Sequence, residues 1–343
     1  MENLLSYLHY WPVLLIVLCL VFYKFVLRVF FGMVIVPEDK VGLVTKKFVL
    51  FGKNDLPEGS IIACNGEAGF QVDMLPPGIK FGYWIWQYSI DFEDFIKVPE
   101  GQICLIMAKD GTALPMGRVL ADECECNNFQ DARSFLTNGG QKGRQIKFLT
   151  AGIYKINKFL FSTELVEMTK IPQGKIGVIT SLDGSPLDKN QIAGKSVEGH
   201  KNFQDFSQFI KNGGEKGVQS DIVQAGVYAF NPWAVTVELF SLIEVPISYV
   251  GVVVSYFGEE GKDTSGESFK HGNIVSRGQK GVWDDTLDAG KYAFNPYIYK
   301  VQLVPTSNLV LNWATGMNES HGLDKNLSTI TVRSKDGFPF NLD

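Results

Sequence analysis

The chain has 343 residues, with 32 Lys plus Arg against 37 Asp plus Glu, a formal net charge of −5 and a pI near 5.5. It contains no basic block, which excludes nucleic acid as an expected partner, because phosphate binding rests on clustered Lys and Arg. Its 35 glycines are about 10 per cent of the residues, above the usual ~7 per cent, as suits a turn-rich β protein.

Leu4 to Tyr23 is a nearly unbroken apolar span with Ser6 and His9 as its strongly polar side chains. As a helix, ~20 residues at ~1.5 Å each would cross the ~30 Å hydrocarbon core. A cleaved signal peptide would want a basic start and a small-residue cleavage site. Here Glu2 precedes the span, and Phe25, Phe30 and Phe31 follow it. The expectation is an uncleaved anchor through Leu4, Trp11, Leu15 and Val21, closed by Lys24 and Arg28. The positive-inside rule then places the bulk of the chain in the cytoplasm.

Four segments align without gaps beyond the span: Val36-Pro37 to Val44, Val98-Pro99 to Ile106, Ile171-Pro172 to Ile179 and Val245-Pro246 to Val253. Each joins Pro, at a strand start or bulge, to a β-branched run. A second signature holds Gly78, Gly152, Gly226 and Gly290, in steps of 74, 74 and 64 residues. The later copies read Ala-Gly-x-Tyr-Ala-Phe-Asn-Pro, with Asn231-Pro232 and Asn295-Pro296. Gly suits a turn with positive φ, the alternation suits a half-buried strand, and Asn-Pro suits an Asx turn that stops it.

The period divides the chain into an anchor and juxtamembrane segment (1–35) and β repeats at 36–97, 98–170, 171–244 and 245–304. A fixed period of this kind indicates modules in series. In the first repeat, Trp84, Trp86 and Tyr88 alternate along an expected strand and form a candidate membrane-interface face, with burial in a core as the other reading. In the middle repeats, Phe203, Phe206, Phe209 and Ile210 have helical spacing, with Asn202 as the expected N-cap and Asn212-Gly213 as the stop. The recurring Lys-Gly reads as a turn, since a phosphate loop needs Gly-Lys-Ser/Thr opening a helix.

No enzymatic constellation appears. The four histidines are scattered, nucleophile elbows and His-Glu-x-x-His are missing, and the adjacent Asp284 and Asp285 read as solvated. Cys124-x-Cys126 lacks the second ligand pair of a metal site. We expect no enzyme, cofactor or metal. Residues 305–343 begin a further element: a strand at 309–313, then Thr331-Val332-Arg333-Ser334-Lys335-Asp336-Gly337-Phe338-Pro339, read as a strand, an Asp-Gly hairpin turn and the start of a second strand that the sequence cuts short.

Together, the anchor, the Val-Pro strand starts, the Ala-Gly-x-Tyr turns and the closing Thr331–Pro339 segment resemble the SPFH (stomatin, prohibitin, flotillin, HflK/C) or band 7 superfamily, in particular bacterial flotillin-like members with vault-like β repeats. The resemblance implies a mainly β (α+β) chain, in which an N-terminal transmembrane helix and serial β modules with short helices lead into an SPFH domain. It also implies a scaffold at the bacterial inner membrane that oligomerises into a ring or cage. The expected partners are SPFH-type subunits, membrane lipids and an enclosed membrane complex such as a membrane protease. The alternative is a membrane-tethered β-repeat binding module or receptor for a single client protein.

Overall fold

The computed structural model describes residues 12, 16–17, 21–50, 55–265, 273–307 and 330–342. Leu4, Trp11 and Leu15 of the expected anchor, and the strand expected at 309–313, lie outside the described residues. Helix α1 covers Tyr23–Phe30, 8 residues, or about 12 Å at 1.5 Å per residue against the ~30 Å a span needs. Among the described residues no helix is long and apolar enough to cross a membrane. This corrects both the single-pass N-terminal anchor at Val21, Lys24 and Arg28 and the transmembrane helix in the expected fold class.

The rest is mainly β, in many small sheets. The first module contains β1 (Val34–Val36), β2 (Lys40–Lys46), β3 (Ile62–Ala63), β4 (Gly69–Leu75), β5 (Gly78–Lys80) and β6 (Tyr88–Asp94). The second contains β7 (Ile96–Val98), β8 (Gln102–Ala108), α2 (Ala132–Thr137), β9 (Gly143–Arg144), β10 (Gly152–Tyr154) and β11 (Phe161–Glu167). The third repeats this order with β12 (Thr169–Ile171), β13 (Lys175–Ser181), α3 (Phe206–Lys211), β14 (Gly217–Val223), β15 (Gly226–Tyr228) and β16 (Val235–Ser241). The fourth has β17 (Ile243–Val245), β18 (Tyr249–Ser255), β19 (Ile274–Val275), β20 (Gly281–Trp283), β21 (Gly290–Tyr292) and β22 (Tyr299–Pro305). A hairpin of β23 (Ile330–Arg333) and β24 (Pro339–Leu342) closes the described chain.

One topology serves all four modules. The long strand after the Pro (β2, β8, β13, β18) is central, between the strand that follows the insertion and the closing seven-residue strand (β6, β11, β16, β22). The short strand before the Pro pairs with the short strand that Gly opens, as in β7 with β10 and β12 with β15. Each Pro begins a β-turn, so its missing N–H is never required. The carbonyls of Pro37, Pro99, Pro172 and Pro246 accept from the N–H of Lys40, Gln102, Lys175 and Tyr249 at 3.2–3.3 Å.

Consecutive modules are one continuous extended segment, kinked at a single residue. At the kinks, Phe95, Met168 and Leu242 donate their N–H to Asp39, Gly101 and Gly174 in the Pro turn. The cores therefore form across junctions. Ile62 and Val72 of module one pack with Phe129, Phe135, Phe161 and Leu160 of module two. Leu120 and Ile146 of module two pack with Phe203, Phe206, Phe209 and Phe230 of module three.

The helix in the repeats is shorter than its spacing suggests. Its N-cap in module three is Asp205, whose side chain accepts from Gln208 N, rather than Asn202. Lys201, Asn202 and Phe203 instead hold positive φ of 49°, 54° and 63°, and Asn127, Asn128 and Phe129 repeat this at 50°, 51° and 60°. A run of three left-handed residues costs roughly 1–2 kcal/mol per residue. Burial of Phe129 and Phe203 at 2 % exposure each offsets part of that cost.

Candidate functional site: the junctions between modules

The buried asparagines carry the coupling between modules. Asn231, 2 % exposed, uses Oδ1 to accept from Trp233 N at 3.0 Å, the expected Asx turn. Its Nδ2 reaches back to the carbonyls of Gln145 and Ile146 in module two, both at 3.1 Å. Asn157 does the same to Gln71 O at 3.2 Å and Val72 O at 2.9 Å. Asn295 keeps the turn to Tyr297 N but makes one backward bond, to Gln219 O at 2.8 Å. Pro232 and Pro296 follow their asparagines directly in the same turns.

The acceptor strands are held by a glutamine that the sequence reading missed. Gln71, Gln145 and Gln219 each donate Nε2 to the carbonyls four and two residues earlier, at 2.7–3.0 Å. In module four the indole N–H of Trp283 takes over, donating to Gln279 O. The signal was available, since three glutamines two residues after a glycine recur every 74 residues.

A carboxylate clamp completes the first two junctions. Asp110 Oδ2 accepts from the N–H of Ile61 and Ile62 at 2.6 and 2.8 Å. Asp183, 1 % exposed, accepts from Val119 N, Leu120 N and Arg118 Nε at 3.1–3.3 Å. In both, the other oxygen takes the N–H of the next residue, Gly111 or Gly184. At the third junction the equivalent residue is Phe257, followed by Gly258. Outer pairs add to the first junction, where Arg133 grips Asp73 at 3.0 and 2.6 Å and Phe70 stacks on Phe159 at 4.2 Å.

The four signature glycines open β5, β10, β15 and β21 rather than forming turns. Gly78 and Gly152 have positive φ, whereas Gly226 and Gly290 do not. What distinguishes the later copies is the tyrosine two residues on, whose ring folds over the glycine. A Cβ at Gly152, Gly226 or Gly290 would meet it at 3.1, 3.0 or 3.4 Å.

Trp84, Trp86 and Tyr88 do not share a strand face. Residues 85–87 form a turn before β6. Trp84 stacks on Trp86 at 5.9 Å and donates its indole N–H to Phe30 O at the end of α1. Trp86 is 46 % exposed, while Tyr88 packs with Tyr83 on the module-one core. Cys124 and Cys126 lie by α2, and among the described residues no group of three His, Cys, Asp or Glu side chains is placed to hold a metal.

The junctions leave one long element of each module bonded on a single side. β6, β11, β16 and β22 are edge strands among the described residues, and Phe92, Leu165 and Leu239 on the first three are 41 %, 49 % and 42 % exposed. No protein-family model matches the chain, and no curated protein matches it.

Proposed function

We propose that the chain is a non-catalytic scaffold whose stacked β modules join other copies, or SPFH-type subunits, edge to edge into a ring or closed wall. The observation that carries this reading is the row of edge strands. The same junction, repeated, brings β6, β11 and β16 to equivalent positions in successive modules, each with an exposed apolar residue on an unpaired edge. An isolated edge of this kind invites pairing with another chain, and a repeated one offers several weak contacts that add. In this proposal the enclosed cargo is the membrane patch or protein complex that the family resemblance implies.

Sedimentation of the full chain tests it, with Leu165→Glu and Leu239→Glu combined as the variant. We expect large assemblies for the natural sequence and dissociation by the double variant, with an unchanged melting temperature because both side chains are solvent-facing. A wild-type chain that sediments as a 38.2 kDa monomer at every concentration would refute the scaffold and favour a module that binds a single client.

A further inference from the structure

We propose that the junction between modules three and four is a binding site for a carboxylate presented by an acidic peptide segment. At the first two junctions a pair of adjacent main-chain N–H groups, Ile61/Ile62 and then Val119/Leu120, is capped by Asp110 and Asp183. The parallel bridges Ala63 to Gln71, Ala121 to Gln145 and Gly194 to Gln219 fix the corresponding pair at the third junction as Ile192 and Ala193. The residue that should cap them is Phe257, which has no acceptor in its side chain. Among the described residues neither N–H has an acceptor, although Ala193 is fully buried.

An uncapped buried N–H is costly, as at Ala193, and together with the N–H of the exposed Ile192 it forms an anion-binding concavity. Here it adjoins a cleft of about 590 Å³ between the two modules, with Ile192, Ser220 and Phe257 on its wall. The Ser220 hydroxyl is buried and has no partner among the described residues. It stands where module two has the apolar Ile146, and it supplies a third donor to the same cleft. Lys195 and Lys280 line the cleft, as do Asp188, Glu259 and Glu260. The charged lining is thus net acidic, two lysines against three carboxylates, and binding of a carboxylate rests on the three donors. The backbones of Glu259 and Glu260 are tied to Lys280.

The ligand chemistry follows from what fills the site one module earlier, an Asp-Gly turn. The probe is therefore the blocked peptide Ac-Leu-Asp-Gly-Ser-NH2, which reproduces residues 182–185. It is titrated into the full chain carrying ¹⁵N at Ile and Ala. We expect saturable downfield movement of the Ile192 and Ala193 amide signals, and about tenfold weaker binding of the peptide with Asn in place of Asp, since the charged acceptor makes the stronger bonds. Phe257→Asp should move the same two signals without peptide and abolish its binding. The proposal is overturned if those signals ignore the peptide, if the Asn peptide binds equally well, or if Phe257→Asp binds the peptide as the natural chain does. The titration uses the full chain with Leu165→Glu and Leu239→Glu in every sample, so that the amide signals do not depend on whether the natural chain assembles.

Discussion

Replacing Asn231 by Ala tests whether the modules are coupled by side-chain amides or simply by apolar contact. The change removes two backward bonds at 3.1 Å and the turn bond at 3.0 Å. At ~1 kcal/mol net for each, the loss is about 3 kcal/mol, rising towards ~5 if the carbonyls of Gln145 and Ile146 are left buried without a replacement donor. In an array of modules such a loss appears as easier local opening rather than a shifted global transition. Hydrogen exchange read by mass spectrometry should therefore show peptides spanning β14–β16 exchanging about a hundredfold faster, with β2–β6 unchanged. Asn295→Ala removes two bonds and should cost about 2 kcal/mol. An Asn231→Ala effect within ~0.5 kcal/mol of zero, or one smaller than that of Asn295→Ala, would refute the coupling argument.

The glycines separate by geometry rather than by motif. Gly184→Ala, at φ 137° with a Cβ 2.6 Å from Gly214 O, should cost roughly 2–3 kcal/mol. Gly290→Ala, with ordinary contact at 3.4 Å, should stay within ~0.5 kcal/mol in thermal unfolding. Asp131 caps α2, and hydrogen bonds from the Ser134 hydroxyl and N–H hold its carboxyl below the ordinary carboxylate range. A depressed folded value means that the cap's stability is present above the unfolded pKa of ~3.9 and is lost as pH falls through the folded value. Asp131→Ala should cost about 1 kcal/mol at neutral pH and show no cost under strongly acidic conditions.

The period, the Pro-led strands and the Asx turns were legible because they are local: a turn residue acts within three or four positions of itself. The acceptors of Asn231 lie 85 and 86 residues away and cannot be read from one sequence. The left-handed run at 201–203 misled for a related reason. Phe203 and Phe206 are three apart, which is helical spacing, yet Phe203 reaches the core from outside the helix, and the cap moves to Asp205. Trp84 and Trp86 alternate in sequence as a strand would, but the chain turns there, with Gln87 and Tyr88 donating their N–H to the Trp84 carbonyl. An N-terminal apolar run is legible only as composition, and among the described residues it does not become a spanning helix.

Module four is the place where the repeat should fail first. Its step is 64 residues rather than 74, and its junction loses the carboxylate clamp and one of the two backward asparagine bonds. Where Leu120 and Ile146 plug the second junction, the third has Ala193 and Ser220. The missing hydrogen bonds alone amount to about 2–4 kcal/mol, and the smaller apolar plug adds to that deficit. Since the stability of an array is a sum of unit and interface terms, β18–β22 should open ahead of β13–β16, by at least tenfold in hydrogen exchange. Equal protection of the two central strands β13 and β18 would mean that the junction bonds do not set the order of opening. If the acidic peptide slows exchange in β18–β22 to the rate of β13–β16, the missing clamp is the cause of the difference.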